Sequence, residues 1–210
     1  QALPTRWRKK HIEKQIETSL CRLCGEREET TFHILSECGK IAPTEYKKRH
    51  DGVAKIVHWN LSRQCGFKTS KKWYDHQTET VIENEKAKIL WDMSIQTDHV
   101  IQARRPDIIM KDKELDHTWL IDIAVPGDGR VKDKEKEKVE KYQDLARELR
   151  KIWKTSVTVV PIVVGALGAV QNLEEELIKL NVDKREIPKV QFAALLGSAR
   201  ILRKVLDLPG

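Results

Sequence analysis

Three cysteines and one histidine between positions 21 and 38 restrict this chain more than any other feature. Their spacing is Cys21-x2-Cys24-x8-His33-x4-Cys38. Two cysteines separated by two residues form a tight knuckle whose backbone amides stabilise thiolates. A histidine and a cysteine five positions apart then close a tetrahedron of three sulfurs and one nitrogen. Soft thiolates select Zn²⁺, and four protein ligands leave no position for water, so the expected role is structural. Gly25 after the second cysteine permits the turn such a knuckle needs. The competing view, four such residues close together by chance, requires four ligands to coincide at workable spacing. Of the four cysteines, Cys65 stands apart and reads as a small buried apolar residue.

The chain has 210 residues, enough for one good-sized core or a core with a small satellite. Its formal net charge is +7, from 39 Lys and Arg against 32 Asp and Glu. That excess fits a polyanionic partner only if the cations form a placed patch. Candidates for nucleic-acid contact are Arg6, Arg8, Lys9 and Lys10 around Trp7, then Lys71 and Lys72 before Trp73 and Tyr74, and Arg104 with Arg105. The first group reads equally as a solvated helix face, and pairs like the second are more often ordinary surface around a half-buried Trp. No apolar run approaches the roughly 20 residues of a membrane span. The opening residues are basic, lack the apolar core of an export signal and carry no initiator Met. We therefore expect a piece of a longer polypeptide, with clustered thiols serving metal ligation rather than disulfides.

Periodicity divides the remainder. Residues 54–59 suggest a short helix, and the apolar spacing over 81–91 suggests another. Extended chain is expected at 99–101 and 106–110, a polar turn at 111–116, and a strong strand over 118–125. Val139, Tyr142, Leu145, Leu149 and Ile152 form one stripe, predicting a single long amphipathic helix over 132–153. A strand over 157–164, a short helix over 173–180 and a helix over 190–206 follow. This is an α/β pattern with a mixed central sheet flanked by helices. The expected division is a basic arm and zinc knuckle over 1–68 and an α/β domain over 69–210.

Within that pattern two carboxylates stand out. Asp107 follows Pro106 at the head of a strand, and Asp122 lies inside a wholly apolar one. A carboxylate in such a strand is costly unless something pairs with it. If 106–125 forms a hairpin, both reach one end of the sheet and offer an oxygen-rich site for Mg²⁺ or Mn²⁺. Such a metal polarises a phosphoryl oxygen and acidifies the attacking water. Lys138 and Lys141 on the following helix are the candidate cations, and Tyr142 shares a face with Lys138. The pattern alone also admits a turn aspartate, an ion-paired aspartate and a solvated helix face. His11, His50, His58, His76, His99 and His117 show no metal spacing and are assigned no role.

Arg105-Pro106-Asp107, fourteen residues, Asp122 and then Lys138-Val139-Glu140-Lys141-Tyr142 resemble the nuclease motif of the PD-(D/E)xK superfamily. With the preceding knuckle, the chain is similar to the restriction-like endonuclease region at the C-terminal end of early-branching, site-specific non-LTR retrotransposons. In that family the catalytic lysine has moved from the strand, where this chain has Ala124, to the following helix. The resemblance implies a restriction-endonuclease-like fold. It also implies nicking of double-stranded target DNA to leave a 3′-hydroxyl that primes reverse transcription of element RNA, with a reverse transcriptase domain upstream and a nuclear location. Asp107 and Asp122 would hold the metal, with Lys138 the catalytic cation and Lys141 the reserve. An acidic residue on the preceding helix assists in such folds; Glu83 and Glu85 are the candidates, and Asp98 is a weaker one. Two alternatives are a non-cleaving nucleic-acid-binding module from a decayed or host-adopted element, and a nuclease of the Holliday-junction-resolvase type.

Overall fold

A computed structural model describes residues 2–98 and 100–209. Short runs rich in apolar and β-branched side chains form β1 (Val81–Glu83), β2 (Ala87–Trp91), β3 (Ile108–Asp112), β4 (His117–Ala124) and β5 (Ser156–Val163). They make one sheet in that order, antiparallel except for the parallel pair β4–β5. Among the described residues the α-helices are α1 (Arg6–His11), α2 (Thr31–Ser36), α3 (Lys47–Gln64), α4 (Val131–Lys141), α5 (Gln143–Trp153), α6 (Leu173–Lys179) and α7 (Ile187–Leu206). Parallel strands need a crossover, and α4 and α5 provide it between β4 and β5.

The period of two assigns each strand residue to a layer. Ile89, Ile108, Ile121, Ile123 and Ile162 face a core closed by α3, α6 and α7. Leu90, Ile109, Leu120 and Val157 face the other way, against Tyr142, Leu145, Ala146 and Leu149. Asp122 alternates with Ile121 and Ile123, so it belongs to the face of α4 and α5. The protein is thus a mixed α/β molecule with a five-stranded mixed sheet between helical layers.

Several local expectations are corrected. Residues 81–91 form a hairpin, not a helix: Asn84 Oδ1 accepts from the N–H groups of Lys86 and Ala87 and closes the turn between β1 and β2. Apolar residues at 81, 82, 89 and 90 satisfy either period, and pairing with β3 decides the matter. The long helix breaks at Tyr142, where φ −104° and ψ 8° separate α4 from α5. The short helix expected at 54–59 is part of the eighteen-residue α3. Val53, Ile56 and Leu61 of α3 share one core with the strands, so that core runs across position 68. His99, expected to be extended, lies outside the described residues. No helix among the described residues is long and apolar enough to cross a membrane.

Candidate functional site

The knuckle is held by short-range bonds. Gly25 sits at φ +70° and donates to the Cys21 carbonyl at 2.8 Å, closing the turn between the two cysteines. Thr30 caps α2 by accepting from the His33 N–H at 3.0 Å, which sets the histidine on the first turn. Cys38 follows the last turn, its N–H donating to the Tyr46 hydroxyl at 3.0 Å. Cys21 Sγ and Cys38 Sγ lie 3.9 Å apart, and Cys24 Sγ lies 3.4 Å from His33 Nε2. All four ligand atoms fall within 4.8 Å of one another. With Zn–S near 2.3 Å, a tetrahedral edge is roughly 3.8 Å, so these separations suit four ligands around one ion. Burial raises the Cys24 thiol, but the N–H groups of Glu26 and Arg27 outweigh it and hold it below its ordinary value. Burial and neighbouring Cys21 push Cys38 up to about 11, a cost that a bound cation would offset. These four residues can hold a structural metal ion such as zinc.

A second constellation gathers where β3 and β4 meet α4. The register pairs Ile108 with Ile121, so Asp107 and Asp122 stand opposite one another one step beyond the last rung. The Ile123 N–H donates to Asp107 Oδ2 at 2.6 Å, and His50 Nε2 lies 3.1 Å from the same oxygen. Burial raises the Asp107 carboxyl; His50, the Ile123 N–H and Lys138 outweigh it and hold it below the usual range. His50 also bonds Asp51 through Nδ1 at 3.0 Å. Burial works to lower its value, but the two carboxylates raise it to about 9, so it is a cation at neutral pH.

Asp122 is 2% exposed. The Tyr142 hydroxyl donates to its Oδ1 at 2.7 Å and lies 2.9 Å from the Arg105 carbonyl. Burial and the adjacent Asp122 push the Tyr142 hydroxyl strongly upward, so it remains a donor. Lys138 forms an ion pair with Asp122 Oδ2, and Lys141 stands 3.8 Å from Oδ1 with its ammonium 4.6 Å from the Tyr142 ring centre. Oδ2 is buried and receives no aligned hydrogen bond, only the charge of Lys138. His50, Asp107, Asp122, Lys138 and Lys141 line a cleft of about 330 Å³ to which Arg105 and Lys134 add positive charge. Two carboxylates, one with an under-bonded oxygen, form a hard donor set that fits a divalent cation flanked by phosphate oxygens. Among the described residues no third acidic or histidine side chain forms with both carboxylates a group as mutually close as the knuckle ligands.

Asp107, Asp122, Lys138, Lys141 and Arg105 therefore share one cleft, and the buried Tyr142 reaches it through its bond to Asp122. Glu83 does not join them. It pairs with Lys88 and Lys113 at the opposite end of the sheet, and Glu85 lies in the turn beyond it. The helix expected to carry both is a hairpin, which aims them away. Asp98 sits in the loop between β2 and β3, with no described bond to the cleft. Arg105 binds both Asp92 oxygens at 2.7 Å, while Arg104 is exposed. Arg6 donates to the Leu20 carbonyl beside the knuckle, Arg8 pairs within the arm with Glu13, and Lys9 and Lys10 lie beside them on α1. Lys71 and Lys72 precede the turn at Trp73–Asp75.

His50 escaped the sequence reading because its partners are 57 residues away or acidic. A signal did exist: His50, Val53, Ala54, Val57 and Leu61 follow a helical period, which puts a titratable group at the head of a buried stripe. Among known proteins, no family model and no curated sequence matches the chain.

Proposed function

We propose that this chain is a Mg²⁺- or Mn²⁺-dependent DNA endonuclease with a restriction-endonuclease-like fold. Its substrate is double-stranded target DNA, which it nicks to leave a 3′-hydroxyl for target-primed reverse transcription. This reading makes it the nuclease region of a retroelement polyprotein acting in the nucleus, with element RNA and an upstream reverse transcriptase domain as partners. One observation carries the reading: Asp107 and Asp122 oppose each other at the end of two paired strands, with Lys138 on the second carboxylate.

Asp107 and Asp122 would hold the divalent ion, which when bound supplies an acidified water and a polarised phosphoryl oxygen. The chain's own groups do the rest. The Ile123 N–H and His50 fix one oxygen of Asp107, and the Tyr142 hydroxyl fixes Asp122, so neither carboxylate must reorganise. Lys138 brings a positive charge to where charge develops on a cleaved phosphate. Lys134, Lys141 and Arg105 line the cleft, where neighbouring phosphates would lie.

The direct test is nicking of supercoiled plasmid in Mg²⁺ by the wild-type chain and by Asp107→Ala. We expect nicking by the first and none by the second. An inactive wild type that still binds duplex would leave a non-cleaving binding module, and equal rates would remove Asp107 from the chemistry. Tighter binding of a four-way junction than of duplex would move the substrate to branched DNA.

A further inference from the structure

A second cleft, which the proposed cutting reaction leaves unused, lies between α3, α7 and the turn at Trp73–Asp75. It encloses about 340 Å³. Four basic side chains line it, Lys48, Arg49, Lys55 and Arg200, against the single acid Asp51. Arg49 is committed to three acceptors, the Ser198 hydroxyl and the carbonyls of Leu35 and Val125, and Lys48 to Glu45. Lys55 and Arg200 have no ion-pair partner among the described residues, so their charge is available to a ligand.

The wall opposite these cations is aromatic. Trp73 packs against the main core, and Tyr74 stands edge-on to it with ring centres 5.7 Å apart and planes at 81°. Tyr74 itself is 54% exposed. Lys72 Nζ lies over the Tyr74 ring, 5.4 Å from its centre, so a base would stack on the opposite face, with the two unneutralised cations lining the cleft for its phosphate. Duplex DNA already stacks its bases on each other and has no free face to offer, so this chemistry suits an unpaired nucleotide. The location adds to this. Asp51 lines this cleft and bonds His50, which bonds Asp107, so one imidazole separates the two clefts.

We propose that this cleft binds an unpaired nucleotide of a single strand, its base stacked on Tyr74 and its phosphate on Lys55 and Arg200. The strand would be the one running from the phosphate in the cleft of Asp107 and Asp122. That placement rests on the nuclease reading; the stacking chemistry does not.

The test is fluorescence titration, without added Mg²⁺, of short labelled oligothymidylate and oligouridylate, with duplex of equal length alongside. Tyr74→Ala should weaken single-strand binding by roughly tenfold, and Tyr74→Phe should retain it. Lys55→Glu and Arg200→Glu should each weaken it and flatten its salt dependence, while duplex affinity changes by less than about twofold. A response with oligothymidylate identifies a DNA strand, and a response with oligouridylate alone identifies RNA; both support the site. Unchanged single-strand affinity in Tyr74→Ala, equal loss of duplex binding, or equally effective competition by polyglutamate overturns it. Plasmid nicking, measured separately, bears on the nuclease reading alone: a chain that binds single strands through Tyr74 without nicking keeps this site and loses that reading.

Discussion

Lys138 and Lys141 both reach Asp122, but they meet different surroundings. The Lys138 side chain is 16% exposed and pairs with the buried oxygen that no hydrogen bond satisfies. Lys141 is 40% exposed, stands farther off and lies over the Tyr142 ring. A charge that acts on the reacting phosphate must be fixed and dry, whereas one that steers DNA can remain solvated. We expect Lys138→Ala to lower single-turnover cleavage by about a hundredfold or more with duplex affinity little changed. Lys141→Ala should instead weaken binding and reduce the slope of log K against log salt by about 0.9. Removing one member of a buried pair costs about 3–5 kcal/mol of stability, so the rates are compared where both variants are folded. The reverse assignment in kinetics would exchange the two roles, and an inert pair would return α4 to a solvated face.

α3 carries both the cleft's His50 and, two turns on, a second histidine in a different setting. His58 is 1% exposed, its Nδ1 lies 2.8 Å from His76 Nε2, and its ring meets Trp91 edge-on. Burial, with a smaller contribution from His76, lowers it from 6.5 to about 4. The unfolded chain therefore binds a proton between pH 6.5 and 4 that the folded chain refuses. Stability is full above about 6.5 and falls as the pH drops towards 4, by about 3 kcal/mol at most from this residue. Urea melts across that window should show a shallower pH slope in His58→Gln than in wild type. Identical slopes would place the acid sensitivity elsewhere.

At the scale of the whole molecule, the knuckle is part of the fold. Cys21, Ile34, Leu35, Cys38 and Ile41 share one core with Ile201, Val205 and Leu206 at the end of α7. Arg49, buried on α3, donates to the Leu35 carbonyl, Ser198 Oγ and the Val125 carbonyl, linking the knuckle to α7 and to the chain just beyond β4. The spacing of the ligands suggests a segment that unfolds alone, but this shared core argues otherwise. Structural zinc contributes on the order of 10 kcal/mol in small zinc-finger peptides. We expect one zinc per chain, and we expect chelation or the double change Cys21→Ser, Cys24→Ser to lower the Tm. It should also speed amide exchange over 201–206 before it does so in β4. Zinc-free protein as purified, or exchange confined to 21–38, would contradict this coupling.

The sequence by itself determined whatever lies within one turn or one strand. The ligand set is closed by eighteen consecutive positions, and the alternation around Asp122 places a carboxylate in an apolar strand whatever surrounds it. The spacing of Lys138 and Tyr142 similarly puts them on one helical face. Tertiary structure alone decided where a local period was ambiguous or a partner distant. Residues 81–91 satisfy helix and hairpin alike until β3 offers its edge, and that choice removed Glu83 and Glu85 from the cleft. The stripe over 132–153 continues through Tyr142, yet the chain breaks there, where the Tyr142 hydroxyl meets a carboxylate twenty residues earlier. His50 reaches Asp107 across 57 residues, and Tyr74 shares a cleft with α7 residues more than a hundred positions away. The reason is the same in each case. Side-chain period is set by the backbone nearby, whereas burial and pairing are set by contacts between segments far apart in the chain.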